Sequence, residues 1–261
     1  MSRIPLLITA AMAGELKQLK NKICGCQLLE KQLKYYIADQ PNSRFIVYLL
    51  ETGVGKINAT LKTATAINEI RPKLILHIGC CGALNDNIKI GTIICPELIK
   101  EHDCKFITAD NTYNVELQKP IRISNTEILT KYGLADIFNA GCAENCIQSG
   151  MLSGDSVLLN SGYRDFLYNI HQKIYQAVDM ESFATAAAAE FYEIDFLVLK
   201  IVVDNCRLNN SIKSEEIELT KYYPLKKIAA EFYNKQFSSE QFDSLMAMLS
   251  EIIIKLTNLR V

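Results

Sequence analysis

The chain has 261 residues, of which 49% are hydrophobic, and this composition allows one large domain with a sizeable buried core. Lys and Arg number 28 and Asp and Glu number 29, so the formal net charge is −1. The composition excludes a disordered, collagen-like or coiled-coil chain. It also disfavours a nucleic-acid-binding protein, because no excess of basic residues is available to neutralise phosphates.

The first apolar run extends from Ile4 to Met12 and is too short to cross a bilayer, and no other stretch of the sequence is long enough for a membrane helix. The run could be the core of a signal peptide, since one Arg precedes it and small residues follow it. We favour a buried first strand, because the chain turns directly into an amphipathic segment. The sequence therefore predicts a soluble, cytoplasmic protein.

Nine cysteines and three histidines are present. The cysteine count is odd and Cys80 is adjacent to Cys81, a pattern that is not typical of a disulfide framework. The spacing of Cys24 and Cys26 does not match a zinc ribbon, which leaves zinc as the less favoured alternative. We predict reduced thiols in a reducing compartment, with no metal and no cofactor.

Short apolar runs alternate with segments of helical period, which predicts an α/β layer fold in a single domain. Strands are predicted at 5–10, 45–50, 74–78, 90–95 and 196–203. Helices are predicted at 15–22, 57–70 and 180–192, with two more after residue 214. Residues 146–159 are predicted as strand, loop and strand, and one apolar face of the helix at 57–70 contains Ile57, Leu61, Ala64 and Ile67.

Two glycine-containing turns follow predicted strands, at 53–56 and at 79–82. The first lacks the additional glycine and the Ser or Thr of a P-loop, and Asn58 replaces the third glycine of the dinucleotide fingerprint. In the second, Cys80 or Cys81 could supply a nucleophile, but the sequence places no histidine beside either thiol. A tight turn and structural packing are therefore the favoured interpretations.

Three acidic residues stand next to predicted strands or at helix starts. Glu15 follows the first strand, Glu181 begins the alanine-rich helix, and Asp204 ends the last buried strand. Because ligands of open α/β sheets bind outside the carboxyl ends of the strands, the three acids could meet at one rim. The structural alternatives are helix-dipole stabilisation for Glu15 and Glu181, and a loop cap for Asp204.

Seven segments carry the motifs of one family in that family's order. They are Ala11–Glu15, Gly53–Ala59, Gly79–Leu84, Ile90–Ile94, Ser153–Asp155, Ala177–Ser182 and Val202–Asp204. Together they resemble the nucleoside phosphorylase/nucleosidase superfamily, and most closely the 5′-methylthioadenosine/S-adenosylhomocysteine nucleosidases. The resemblance implies an α/β fold with three αβα layers around a central mixed β-sheet. We predict a single domain over 1–261, in which 212–261 forms a helical C-terminal extension.

The resemblance further implies hydrolysis of the N-glycosidic bond of a purine nucleoside, of adenosine type and with a modified 5′ position, such as 5′-methylthioadenosine or S-adenosylhomocysteine. Glu15 would orient or deprotonate the attacking water, and Glu181 would accept hydrogen bonds from ribose hydroxyls. Met180 would pack against the ribose. Asp204, kept protonated by burial, would donate its proton to N7 of the purine. Other positions that match the family's pocket are Met12, Cys80 and Val157.

Departures from the family pattern leave alternatives open. Family phosphorylases hold phosphate with arginines, whereas this sequence has 13–15 (Ala-Gly-Glu) and His77 in those places, which favours water as the nucleophile. Lys200 and Val203 stand where the family has an arginine and a serine. The alternatives are a phosphorylase of the same superfamily, including the hopanoid-associated type, and a degenerate, non-catalytic nucleoside-binding member. The resemblance also implies a homodimer in which the neighbouring chain completes the 5′ pocket.

Overall fold

The computed structural model describes residues 3–104, 106–107, 113–114, 118–142, 145–205 and 239–259. Its helices are α1 (Ala13–Lys22), α2 (Lys56–Ile70), α3 (Asn125–Lys131), α4 (Ala135–Cys142), α5 (Ser161–Ile170), α6 (Ser182–Phe191) and α7 (Ser239–Thr257). Its strands are β1 (Ile4–Ala10), β2 (Gln27–Glu30), β3 (Lys34–Ala38), β4 (Phe45–Glu51), β5 (Leu74–Ala83), β6 (Ile93–Glu101), β7 (Phe106–Ile107), β8 (Tyr113–Asn114), β9 (Ile121–Arg122), β10 (Cys146–Ser153), β11 (Tyr175–Asp179) and β12 (Asp195–Asp204).

One mixed sheet contains ten of these strands, in the order β11-β10-β6-β12-β5-β1-β4-β3-β2, with β9 paired to β6. Strand β1 lies between β4 and β5, and β12 lies beside β5; all of these pairings are parallel. Strand β10 is parallel to both β6 and β11, whereas β2 and β3 form an antiparallel hairpin at one edge. The carboxyl ends of β1, β4, β5 and β12 therefore share one side of the sheet, where ligands of such folds bind.

The helices cover the sheet in two groups. Helix α1 packs against α7, which also contacts α4 and β12, while α2 packs against α6, which contacts β5, β6 and β12. All ten residues of β5 are buried, as expected for a strand that is covered on both faces. The predicted α/β fold, with three layers around a central mixed sheet, is confirmed. None of the helices among the described residues has the length and apolar character needed to cross a bilayer.

Most of the predicted elements are confirmed to within a few residues: the strands at 5–10, 45–50 and 196–203 and the helices at 15–22, 57–70 and 180–192. Strand β5 was predicted to stop at Gly79 but continues to Ala83. Gly79 has φ of 144°, a backbone conformation that glycine adopts without steric penalty, so the strand passes through it. Residues 156–159 were predicted as a strand, which is wrong, because β10 ends at Ser153 and α5 begins at Ser161.

The predicted apolar face of α2 coincides only partly with the face that this chain buries. Ile57 and Leu61 are 71% and 63% exposed, whereas Ala59, Ala66 and Ile67 are buried. The reason is the partner helix: α2 packs against the alanine-rich α6, and small residues permit two helices to approach closely. The two large apolar side chains therefore stand on the outer surface of the helix.

Helix α7 is the part of the predicted C-terminal extension, 212–261, that the structure describes, and residues 212–238 lie outside the described residues. It buries Met246, Leu249 and Ile253 in the main hydrophobic core, which also contains Leu19 of α1. The described end of the chain thus packs into the same core as the sheet.

Candidate active site

The residues singled out from the sequence line one cavity at the edge of the sheet. The cavity contains about 650 Å³ of empty space, including space that is open to solvent. Its lining includes Met12, Glu15, Cys80, Val157, Met180, Glu181 and Asp204. They come from β5 and β12 and from the segments that follow β1, β10 and β11, elements that are far apart in the sequence but adjacent in the sheet. The structure thus brings all seven predicted positions together.

Glu15 lies in the first turn of α1 and is only 2% exposed. Its Oε2 accepts a hydrogen bond from the backbone N–H of Met12 at 2.9 Å. Its Oε1 accepts from the backbone N–H and from the Sγ of Cys80, both at 2.9 Å. A Cβ atom at Gly79 would lie 2.5 Å from Oε1, so only glycine allows this approach. The carboxylate is therefore held in one orientation in the wall of the cavity.

Glu181 directly precedes α6 and is 5% exposed. Its Oε1 accepts a hydrogen bond from the backbone N–H of Gly55 at 2.9 Å. Burial raises the pKa of Glu181 to about 8; the Lys200 ammonium opposes this rise, and the charges of Asp179 and Glu15 add to it. At neutral pH the side chain is therefore mainly a neutral carboxyl, which can both accept and donate a hydrogen bond.

A buried ion pair lies beside Glu181. The Nζ atom of Lys200 is 3.0 Å from Oδ2 of Asp179, and both side chains are 1% exposed. Burial lowers the pKa of Lys200, but the charges of Asp179, Glu181 and Glu15 outweigh it, so that the net shift is upward. Burial likewise raises the pKa of Asp179, but Lys200, His77 and the hydrogen bond from Ser182 together outweigh that effect, and the net shift is downward. Both groups are thus charged at neutral pH.

Lys200 was recognised from the sequence only as a departure from the family pattern, and Asp179 was not predicted as its partner. A signal for the pair was present, because Lys200 is the one charged residue within the apolar strand 196–203. A charge that is buried in such a strand requires a partner nearby. That partner is Asp179, the first residue of the Asp-Met-Glu run at 179–181.

His77, Asp179 and Glu181 place possible metal ligands within 4.8 Å of one another. Their surroundings do not favour a cation, because the Lys200 ammonium already lies 3.0 Å from Asp179 and would repel one. The ring of His77 is hydrogen-bonded through Nδ1 to Thr9 at 2.9 Å. Burial, with a contribution from Lys200, lowers the pKa of His77 well below its usual value, so the ring is neutral. These residues fit a charge-paired cluster better than a metal centre.

Asp204 ends β12 and is 6% exposed. Its Oδ1 lies 2.5 Å from Nη1 of Arg164, a residue of α5 that is 2% exposed. A guanidinium at this distance favours a charged carboxylate, whereas the resemblance implies a protonated acid. Arg164 was not predicted as a site residue. It lies in a helix that the sequence analysis did not identify, and nothing in its local sequence indicates a buried side chain.

The turn after β4 is fixed against the loop after β10. The backbone N–H of Lys56 donates to Oδ1 of Asp155 at 2.7 Å, and the backbone N–H of Asp155 donates to Oδ2 of Asp103 at 2.8 Å. The Lys56 ammonium forms ion pairs with Glu101 and Asp103. Two of the seven motif segments, 53–59 and 153–155, therefore meet beside the cavity.

Apolar side chains and a thiol also line the cavity. Met12 and Met180 are partly buried, Cys80 is 7% exposed, and Val157 is 39% exposed. Walls of this kind, with a few convergent polar groups, are typical of small-molecule sites.

Fold and cavity together define an α/β protein with a cavity at the carboxyl ends of its parallel strands. A family model described as the phosphorylase superfamily matches residues 5–222. The chain therefore belongs to the phosphorylase superfamily, which confirms the resemblance seen in its motifs.

The chain is also similar to individual proteins whose names are more specific than that of the superfamily. A 5′-methylthioadenosine/S-adenosylhomocysteine nucleosidase of Listeria monocytogenes is 23% identical over 212 residues, which cover 80% of this chain and 90% of the relative. The crystal structure of the Campylobacter jejuni enzyme of that name has a TM-score of 0.72 and 17% identity, covering 97% of this chain and 98% of the other. The native futalosine hydrolase of Helicobacter pylori has a TM-score of 0.72 and 16% identity, covering 98% and 97%. These solved structures share the fold.

Proposed function

We propose that this protein hydrolyses the N-glycosidic bond of a purine nucleoside and releases the free base. The observation that carries the proposal is the convergence of Glu15, Glu181 and Asp204 on one cavity of a phosphorylase-superfamily fold. Two of the proteins named above are 5′-methylthioadenosine/S-adenosylhomocysteine nucleosidases, and that name indicates the substrate: an adenosine-type nucleoside with a 5′ substituent, such as 5′-methylthioadenosine or S-adenosylhomocysteine.

Breaking this bond develops positive charge on the ribose and negative charge on the departing base. Carboxylates near the sugar favour the first charge, as they do in glycoside hydrolysis. A neutral Glu181 acts instead through hydrogen bonds with the ribose hydroxyls. Glu181 lines the cavity, and the Gly55 N–H occupies only one of its two oxygens, Oε1. Glu181 is therefore suited to bind the ribose hydroxyls. Met180, the preceding residue, supplies an apolar surface for the face of the sugar.

Glu15 is the proposed base that orients or deprotonates the attacking water. Donors from Met12 and Cys80 fix both of its oxygens, and Oε2, which accepts one hydrogen bond, retains lone-pair capacity for a water molecule. General-base assistance of this kind is typically worth about 10²–10⁴-fold in rate. Asp204 is the proposed acid on the side of the purine. As a carboxylate paired with Arg164 it has no proton of its own, so in this role it must take up a proton from solvent before it donates that proton to N7 and relieves the negative charge of the base.

Water is favoured over phosphate as the nucleophile. Among the described residues that line the cavity, Arg164 is the one cationic side chain, and it is paired with Asp204. A phosphate ion in the cavity would therefore find no unpaired guanidinium with which to form bidentate hydrogen bonds. The phosphorylase alternative therefore has weaker support than hydrolysis.

Purine release can be measured with 5′-methylthioadenosine, S-adenosylhomocysteine, adenosine and inosine, each with and without phosphate. We expect free base without any phosphate requirement, and a large loss of activity in Glu15→Gln. The matched control is Glu190→Gln, an exposed glutamate of α6 outside the cavity, which should retain wild-type activity. Ribose-1-phosphate that forms only with added phosphate would instead identify a phosphorylase. No base from any of the four would contradict the proposal.

We also propose a homodimer in which the outer surface of α2 contacts a second copy of the chain. The support is the exposure of Ile57 and Leu61, two large apolar side chains one turn apart, next to the site. Light scattering should give twice the chain mass for wild type, and the single-chain mass for Ile57→Glu/Leu61→Glu. The control is Leu28→Glu on the edge hairpin, 53% exposed in wild type, which should remain dimeric. A monomeric wild type would contradict this proposal.

For location we propose the cytoplasm. The structure describes the side chains of seven cysteines, and none of these seven is in a disulfide, as expected in a reducing compartment. Cell fractionation of the producing organism, with detection by antibody, should place the protein with cytoplasmic markers. Recovery with membranes or in the medium would contradict this assignment.

A further inference from the structure

A second cavity, separate from the candidate active site, lies between α1 and the hairpin of β2 and β3. It contains about 1490 Å³ of empty space, including space that is open to solvent, against about 650 Å³ for the candidate active site. The two cavities have no described lining residue in common. We call the second cavity the lysine groove after four residues of its lining, Lys17, Lys20, Lys34 and Lys62.

Positive charge is concentrated in the lysine groove. Glu51 is the one acidic residue among the described residues that line it, so the four lysines give this lining a formal charge of 4 − 1 = +3. The whole chain, by contrast, has a formal net charge of −1. Complementary charge on a partner steers its approach to such a surface and selects against partners of the same sign. The groove is therefore suited to an anionic partner.

Two of the four ammonium groups have no acidic partner among the described residues. The Nζ atom of Lys20 lies 4.1 Å from the ring centroid of Tyr36, and Nζ of Lys62 donates to the backbone carbonyl of Glu51 at 3.3 Å. Both lysines are partly exposed. Neither contact neutralises the charge of the lysine, so both ammonium groups can bind a carboxylate.

The other two ammonium groups form ion pairs on the surface. Nζ of Lys17 lies 2.9 Å from Oδ2 of Asp243, and Nζ of Lys34 lies 3.0 Å from Oε1 of Glu30. The two lysine side chains are 54% and 76% exposed, and exposed pairs of this kind contribute little to stability. A carboxylate of a ligand can therefore share or replace these partners.

Strand β2 adds an open sheet edge to the groove. It is the last strand of the ten-stranded sheet and, among the described strands, pairs only with β3. Leu28 of β2 is 53% exposed and lies opposite Tyr36 of β3, and both residues line the groove. An edge strand presents unpaired backbone N–H and C=O groups to a further strand. Because side chains alternate between the two faces, every second residue of an added strand would point to the side of the groove.

We infer that the lysine groove binds an acidic segment of another protein, which adds to β2 in an extended conformation. Hydrogen bonds between the two main chains supply affinity, and acidic side chains at alternate positions pair with the lysines. Leu28, Leu33 and Tyr36 supply apolar surface between the charges. A peptide fits better than a compact anion, because the four lysines come from three elements, α1, β3 and α2, and because a sheet edge pairs with a backbone.

Fluorescence anisotropy with a labelled peptide that alternates threonine and glutamate measures this binding. The peptide is about six residues long, the usual length of a strand. We expect saturable binding that weakens as the salt concentration rises, and no binding when lysine replaces glutamate in the peptide. A peptide of the same charge in which proline replaces threonine cannot pair with a sheet edge and should bind about 10-fold more weakly or worse.

Lys20→Glu/Lys62→Glu should weaken the binding of the threonine–glutamate peptide about 10-fold or more, because two attractions become repulsions. The matched control is Lys73→Glu/Lys255→Glu, which changes the net charge equally at exposed positions outside the groove and should bind like wild type. Hydrogen exchange of the backbone amides in 27–30 should slow when the peptide is added to wild type.

Three results overturn the inference without requiring any variant to fold: no binding of the acidic peptide, equal binding of the proline peptide, and slow exchange in 27–30 before peptide is added. The second result identifies attraction between charges without strand addition, and the third shows that a second copy of the chain covers this edge. Equal weakening by both pairs of lysine substitutions also overturns it. None of these outcomes bears on the proposed hydrolysis, which is measured separately by purine release.

Discussion

The contribution of the ion pair between Lys200 and Asp179 to the free energy of unfolding can be tested quantitatively. Replacing Lys200 by Met keeps most of the side-chain volume but leaves Asp179 charged, buried and next to Glu181. Both members of the pair are 1% exposed in wild type, so solvent cannot compensate the lost partner. Removing one partner of a buried ion pair costs about 3–5 kcal/mol, and we expect Lys200→Met to lower the free energy of unfolding by this amount.

Urea unfolding followed by circular dichroism measures this loss. The double variant Lys200→Met/Asp179→Asn removes both charges and should be more stable than Lys200→Met alone, with a coupling energy of about 0.5–3 kcal/mol. Lys131→Met is the matched control, because its ion pair with Asp195 is on the surface, with the lysine side chain 62% exposed, and such pairs are worth about 0–1 kcal/mol. The reasoning is refuted if Lys200→Met loses no more stability than this control.

Two further predictions concern the carboxyl groups. Gly79→Ala would place a Cβ atom 2.5 Å from Oε1 of Glu15, so steady-state purine release should fall about 10²-fold or more. The control is Gly25→Ala, which has a φ of 71° but no atom within 4 Å of its new Cβ and should stay active. Equal rates in the two variants would contradict the role of Glu15. Glu181, with a pKa raised from 4.5 to about 8, holds its proton in the folded state where the unfolded chain has lost it, so its contribution to stability falls as pH rises from 4.5 to 8. Glu181→Gln should therefore gain more stability relative to wild type at pH 8 than at pH 5 in urea unfolding, and the same difference at both pH values would contradict the raised pKa.

The central strands and the location of the site could be predicted because both depend on local patterns. Apolar runs of four to eight residues identify buried strands, and acids placed just after such strands gather at one edge of a parallel sheet. Glu15, Glu181 and Asp204 were found in this way. The resemblance then added the positions of Met180 and Val157, which polarity alone would not have indicated.

What could not be predicted depends on contacts between distant segments. Arg164 lies 40 residues before Asp204 in the sequence, and no periodicity links the two. The apolar pattern of α2 indicated a helix but not which of its residues the chain buries: Ile67 is buried as predicted, whereas Ile57 and Leu61 are exposed. The hairpin of β2 and β3 was missed because its residues are mostly exposed and its polar-apolar alternation is weak.

The turn after β4 has consequences for how this protein can vary. Two consecutive backbone amides, those of Gly55 and Lys56, bind side chains from separate loops, Glu181 and Asp155. Covalent geometry fixes the distance between successive amides, so inserting or deleting one residue here would break at least one of these bonds. The two hydrogen bonds therefore constrain the length of this turn, although its side chains can change over evolutionary time. Insertions are better tolerated in the exposed edge hairpin, 27–38, where no site residue depends on chain length.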